Sequence, residues 1–163
     1  MGKFRVTQEY KGAEHDGLDL VGIDSKEIHS TVNGTVHYAG WENSADHSQG
    51  FGQYVCIKGT DGRYYYYGHL SEIRVKSGQA VKITDVLGIE GSTGHSTGSH
   101  CHYCVRPQFA QGNAFNVSEI SGIPNALGTY DDGYRPGAVS DKTTRSVTLI
   151  IDDVIYSGTL TEK

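Results

Sequence analysis

Tyr54-Val55-Cys56-Ile57-Lys58-Gly59-Thr60-Asp61-Gly62-Arg63-Tyr64-Tyr65-Tyr66-Tyr67 decides the fold class. Two runs of β-branched and aromatic residues flank Thr60-Asp61-Gly62, which is turn chemistry, so the stretch reads as a β-hairpin. The tyrosine run could suggest stacking on sugars, but a strand with tyrosines on both faces is the simpler account. The same texture of short apolar runs between glycine turns continues outward, from residue 4 to residue 106. Thr31 to Tyr38 carries Asn33-Gly34, the strongest short hairpin signal. Ile73 to Lys76 alternates and turns at Ser77-Gly78. Val86 to Glu90 and Cys101 to Val105 read as further strands, with a Gly/Ser/Thr loop over 91–99 and a polar loop over 43–52. The pattern predicts a mainly β, largely antiparallel sheet.

Beyond Arg106-Pro107 the texture changes. Asn116 to Ile120 fits one helical turn capped by Asn116 or Ser118. The sequence divides into a domain over 1–127, a linker-like segment over 128–145 and a C-terminal β-hairpin extension over 146–163. In that extension Val147 to Ile151 and Val154 to Tyr156 flank Asp152-Asp153.

The 163 residues suit one main domain, with 22 glycines against 3 prolines. The net charge of -5 gives no basic footprint for nucleic acid. No apolar run is long enough to span a membrane. Met1 to Val6 has no signal-peptide core, and Val6 stands where a myristoylation motif wants Ser or Thr. Three cysteines do not make a disulfide framework, so folding in a reducing cytosol is expected.

Three clusters carry chemistry. In Glu14-His15-Asp16-Gly17-Leu18-Asp19-Leu20 an extended backbone points His15, Gly17 and Asp19 one way, and Leu18 and Leu20 into the core. Gly17 leaves room between an imidazole and a carboxylate, a half-site for a divalent ion; a plain surface turn is the competing reading. In His100-Cys101-His102 the two imidazoles share one strand face. His69, in Tyr67-Gly68-His69-Leu70, ends an aromatic strand. Each cluster alone also suits hydrogen-bonded or solvated histidines. Together they match a catalytic zinc site, which holds the metal with three protein ligands and leaves a position for water. His15, Asp19 and one of His100 and His102 are the candidate ligands. Two histidines then remain for proton transfer and charge stabilisation.

In order along the chain stand His15-Asp16-Gly17-Leu18-Asp19, Tyr67-Gly68-His69 and Thr93-Gly94-His95-Ser96-Thr97-Gly98-Ser99-His100-Cys101-His102. This series resembles the lysostaphin-type, LytM-like metallopeptidases of family M23, over roughly residues 5–107. The resemblance implies a zinc-dependent endopeptidase that hydrolyses peptide bonds in bacterial peptidoglycan, in a cross-bridge or a stem peptide. It implies an antiparallel sheet flooring a groove walled by loops at 40–52, 91–99 and 107–135. One Zn²⁺ per chain would be held by His15, Asp19 and His102, with His69 and His100 as catalytic histidines. Tyr10 matches an aromatic residue that lines the groove, and His95, in the loop leading to the site, is expected to touch substrate. Cys101, Tyr103 and Cys104 stand where the family has Leu, Phe and Glu. Ser99 replaces a common proline, and Thr84 a common glycine.

His29, His37 and His47 belong to no motif and read as structural or surface residues. Cys101-x-x-Cys104 resembles a zinc or redox pair, but on a strand the two side chains face opposite sides. A biotinyl- or lipoyl-type carrier would need a modifiable lysine at a hairpin tip, which is missing. The expected partners are peptidoglycan peptides. The alternative function is a catalytically inactive peptidoglycan-binding module, or a virion or tail component of the same fold. Without a signal peptide, such a protein is expected to be made in the cytosol and to meet the wall after release, as an endolysin does, or within a virion.

Overall fold

A computed structural model of the chain describes residues 1–133, together with the backbone of 145–151 and 154–160. The elements in order are β1 (Lys3–Gln8), β2 (Leu18–Gly22), β3 (Glu27–His29), β4 (Gly34–Trp41), β5 (Gln53–Gly59), β6 (Tyr64–Gly68), β7 (Glu72–Ile73), β8 (Ala80–Val81), β9 (Val86–Ile89) and β10 (Cys101–Arg106). A short helix α1 (Val117–Ser121) follows, then β11 (Gly128–Asp131), β12 (Arg145–Ile151) and β13 (Val154–Leu160). Eight strands form one sheet in the order β11-β1-β2-β10-β6-β5-β4-β8, and β3-β9-β7 form a small second sheet. Among the described residues every strand pairing is antiparallel, as expected from the sequence. Among the described residues no helix is long and apolar enough to cross a membrane.

The hairpin that decides the fold class is β5–β6, in register from Val55↔Tyr67 to Lys58↔Tyr64. Gly62 takes φ +83°, a left-handed turn conformation that glycine adopts without strain. Side chains then alternate across the sheet. Leu18, Val55, Ile57, Tyr65, Tyr67, Cys101, Tyr103 and Val105 belong to the main core, with Phe4, Val6, Leu70 and Leu87. Tyr54, Cys56, Tyr66 and Cys104 form a second buried cluster, packed with Tyr38, Phe51 and Tyr64. Tyr67 and Tyr103 stack at 5.2 Å, and the Thr31 hydroxyl meets both phenolic oxygens, at 2.7 and 2.8 Å. Buried apolar side chains of this size each contribute about 1.5–3 kcal/mol, provided their polar ends are satisfied in this way.

All three cysteines are free and buried. Cys101 and Cys104 belong to different clusters, so the Cys-x-x-Cys spacing does not make a shared site.

Three local expectations are corrected. Asn33-Gly34 is not a hairpin turn but a crossover from β3 in the small sheet to β4 in the large one. Asn33 is recruited as a tie: its side chain accepts from the Ile83 amide and its carbonyl from the Thr60 amide. Ile73 to Lys76 is a strand only at its start, because β7 ends at Ile73. The linker-like segment over 128–145 begins with β11, which pairs with β1 from Lys3↔Asp131 to Val6↔Gly128. The Tyr130 ring leans on Phe4 at 6.0 Å, and the Met1 ammonium meets Asp132 at 3.2 Å. The 1–127 domain therefore extends at least through this edge strand. In the C-terminal segment β12 pairs with β13, from Arg145↔Leu160 to Ile151↔Val154. The expected turn at Asp152-Asp153 lies outside the described residues.

Candidate metal centre

The site is assembled by three neighbouring strands, β2, β10 and β6. The β2–β10 register pairs Asp19 with His102, and the β10–β6 register pairs His102 with Gly68, the residue before His69. His15 comes from the turn-containing segment before β2, where the Lys11 amide donates to the His15 carbonyl at 2.8 Å. As its sequence pattern predicts, Leu18 and Leu20 are buried in the core. His15 Nε2 stands 3.1 Å from Asp19 Oδ1 and 3.1 Å from His102 Nδ1, and the last two atoms are 2.9 Å apart. Three ligand atoms thus form a nearly equilateral triangle.

Gly17 makes this approach possible. A Cβ there would lie 2.5 Å from the Tyr103 carbonyl oxygen and 2.7 Å from His102 Nε2. Gly17→Ala is therefore expected to push the His102 ring out of the triangle. Overpacking of this kind costs about 1–3 kcal/mol. Thermal unfolding should show the loss, and metal content after dialysis should fall with it.

Hydrogen bonds set the tautomer of each imidazole, because a carbonyl oxygen only accepts. His15 Nδ1 donates to the Glu9 carbonyl at 2.7 Å, which leaves Nε2 unprotonated inside the triangle. His69 Nδ1 donates to the Thr93 carbonyl at 2.7 Å, and His100 Nδ1 to the Gly98 carbonyl at 2.8 Å. Both therefore offer Nε2 as an acceptor. The rings of His69 and His100 are 4.6 Å apart, and His100 Nε2 lies 3.5 Å from Asp19 Oδ2. His69 adopts φ +62°, an uncommon left-handed conformation for a residue with a side chain. Its amide donates to the Phe51 carbonyl at 2.8 Å.

Carboxylates and imidazoles balance each other's charge in the triangle. Burial works to raise the Asp19 pKa, but the His102 and His15 imidazoles beside it outweigh burial and hold the carboxyl well below its usual range. Burial works to lower the His102 pKa, but Asp16 and Asp19 together hold the ring well above the usual imidazole range. Burial dominates at His69, whose pKa is pulled down to about 4, so this ring is neutral at neutral pH. Two imidazole nitrogens and one carboxylate oxygen suit zinc. Three ligands of a tetrahedral zinc ion stand about 3.3 Å apart, close to the edges of the triangle. Asp16, His102 and Cys104 form a second set within 4.8 Å, but the Arg106 guanidinium already faces Asp16 there, at 2.6 Å.

A groove of about 930 Å³ runs past the triangle. Its walls include residues from the expected 40–52, 91–99 and 107–135 loops, and around the expected Tyr10 also Gln8 and Gly12 to Glu14, which the sequence does not mark as a wall. Tyr10 and His95 both line it. The Tyr10 hydroxyl donates to the Ala114 carbonyl at 3.1 Å, so it ties the two walls together. His95 is exposed, and its amide donates to the Gly50 carbonyl at 2.9 Å. Two residues beside the triangle escape motif reasoning. Asp16 lies between two ligand candidates, and Arg106 shares the alternation of His102 and Cys104. That alternation was the available signal for Arg106.

The family model described as Peptidase family M23 matches residues 13–117. Glycyl-glycine endopeptidase ALE-1 of Staphylococcus capitis is 33% identical over 93 residues, which is 56% of this chain and 24% of that protein. Among solved structures, a mutant catalytic domain of the prophage-encoded M23 protein EnpA from Enterococcus faecalis is similar, with TM-score 0.58 and 32% identity. It covers 69% of this chain and 86% of its own. The catalytic domain of the antimicrobial peptidase lysostaphin from Staphylococcus simulans gives TM-score 0.60 and 27% identity, over 72% of this chain and 89% of that one. The chain spans from 18% to 28% of the length of the curated relatives it matches.

Proposed function

The chain belongs to peptidase family M23, and from that premise we propose that it is a zinc-dependent endopeptidase acting on the peptides of bacterial peptidoglycan. The observation that carries this reading is the triangle of His15 Nε2, Asp19 Oδ1 and His102 Nδ1, with the His69 and His100 rings beside it in a groove. In this reading His15, Asp19 and His102 hold one Zn²⁺. Zinc bound there supplies Lewis-acid chemistry, polarising a carbonyl and acidifying water.

The chain's own groups do the rest. The groove holds an extended peptide across the sheet, with Tyr10 and His95 among its wall residues. A neutral imidazole, His69 or His100, accepts at Nε2 the proton of the attacking water. Its Nδ1–H stays on a backbone carbonyl, so the ring does not turn as it charges. The resulting imidazolium faces the developing oxyanion and then returns the proton to the leaving amine. The second imidazole, once protonated at Nε2, supplies a hydrogen-bonding edge to the same oxygen.

The test uses purified walls from several bacteria and two soluble peptides, one with a glycine bridge and one with a D-Ala cross-link. The expected result is release of new amino termini from at least one substrate. Chelator should abolish that release and stoichiometric zinc should restore it. Full activity in the metal-free protein would overturn the mechanism. Tight wall binding with no new amino termini would favour a binding module.

A further inference from the structure

Asp16 occupies the position between His15 and Gly17 to which no role has been given. Both of its oxygens are engaged: Oδ1 accepts from His102 Nε2 at 3.1 Å, and Oδ2 accepts from the Arg106 guanidinium at 2.6 Å. Arg106 is itself fixed. It is 6% exposed, donates to the Ala110 carbonyl at 2.8 Å, and lies over the Tyr66 and Phe51 rings at 4.8 and 5.2 Å.

We propose that Asp16, locked in place by Arg106, is a positioning residue for the metal, acting through His102. The proposal rests on the reading of His15, Asp19 and His102 as ligands. His102 turns Nδ1 into the triangle, so its Nε2–H points away, beneath the groove. An imidazole bound to a metal is held in one tautomer and made more basic by a carboxylate on its other nitrogen. The strand offers no carboxylate on that side. Cys104 follows His102 on the same face, where the resemblance expects Glu, and Cys104 is fully buried. The carboxylate arrives instead from the segment before β2, which closes against His102 because Gly17 has no side chain. Arg106 neutralises it, so Asp16 acts through the direction of its hydrogen bond more than through net charge.

The test measures zinc affinity of the full chain by competition with a chromophoric chelator, for wild type, Asp16→Ala and Asp16→Asn. Melting of the chelated forms is measured in parallel. Losing an outer partner of a metal-bound histidine typically weakens binding about 10–100-fold. Asp16→Ala is expected in that range. Asp16→Asn, which keeps an acceptor oxygen, is expected to fall between it and wild type. Unchanged zinc affinity in either folded variant, with a lower melting temperature only, would show Asp16 to be a structural tie and overturn the proposal. If Asp16→Ala does not fold, Asp16→Asn decides by the same criterion. Wild type that binds no zinc would overturn the metal reading itself. Wild type that binds zinc no more tightly than the variants would overturn only the role of Asp16.

Discussion

His102→Ala is expected to fold, to lose zinc and to show no hydrolysis above background. The fold should survive because the β2–β10 and β10–β6 ladders are backbone bonds that the imidazole does not make. Zinc should be lost because one of three ligands goes, and the pair that remains, His15 and Asp19, comes from one short segment. The loss of affinity should exceed the roughly 10–100-fold typical of losing an outer partner. Removing the ring also leaves Asp19 and Asp16 without a shared donor, so the chelated protein should melt below chelated wild type. Elemental analysis after dialysis, with circular dichroism on the same sample, checks both halves. Zinc retained by His102→Ala but lost by His100→Ala would reverse the assignment of the pair.

His69→Ala and His100→Ala are expected to do the opposite, keeping zinc and losing turnover. Neither ring contributes an atom to the triangle, and both offer Nε2 beside it. Removing a group that acts mainly on the transition state typically costs about 10²- to 10³-fold in kcat. Substrate affinity should change little, because the groove walls remain. Single-turnover hydrolysis of a soluble peptide, with zinc content measured on the same preparation, separates the two losses. A His69→Ala enzyme with wild-type kcat would remove His69 from the mechanism. The same result for His100→Ala would remove His100.

The strands and the ligand candidates were legible because both obey a period of two. Leu18 and Leu20 announce the buried face of β2, which leaves Asp19 for the other, with His15 four residues before it. Cys101 and Tyr103 do the same for His102 in β10. What could not be read was adjacency between distant segments. Nothing local says that β2 pairs with β10, across 83 residues from Asp19 to His102, so spacing alone left open which of His100 and His102 completes the triangle. The crossover at Asn33-Gly34 was misread because the dipeptide reports a tight bend and not the destination of the chain. Gly34 is needed there for another reason: a Cβ would strike the Lys58 carbonyl. The β11 strand was missed because Gly128-Thr129-Tyr130-Asp131 is polar, as an edge strand covering one neighbour can be. Asp16 and Arg106 were invisible as a pair, being 90 residues apart.

The left-handed backbone of His69 puts a standing charge on the whole chain. An L-residue in that conformation costs about 1 kcal/mol, and glycine would not bear it. Every folded molecule carries the cost, whether or not it ever meets a substrate. Marginal stability makes 1 kcal/mol visible to natural selection. Glycine would relieve that cost but would lose the bond from the buried imidazole to the Thr93 carbonyl. Histidine at φ +62° is thus held against its own backbone preference, by its amide on the Phe51 carbonyl and its ring on the Thr93 carbonyl.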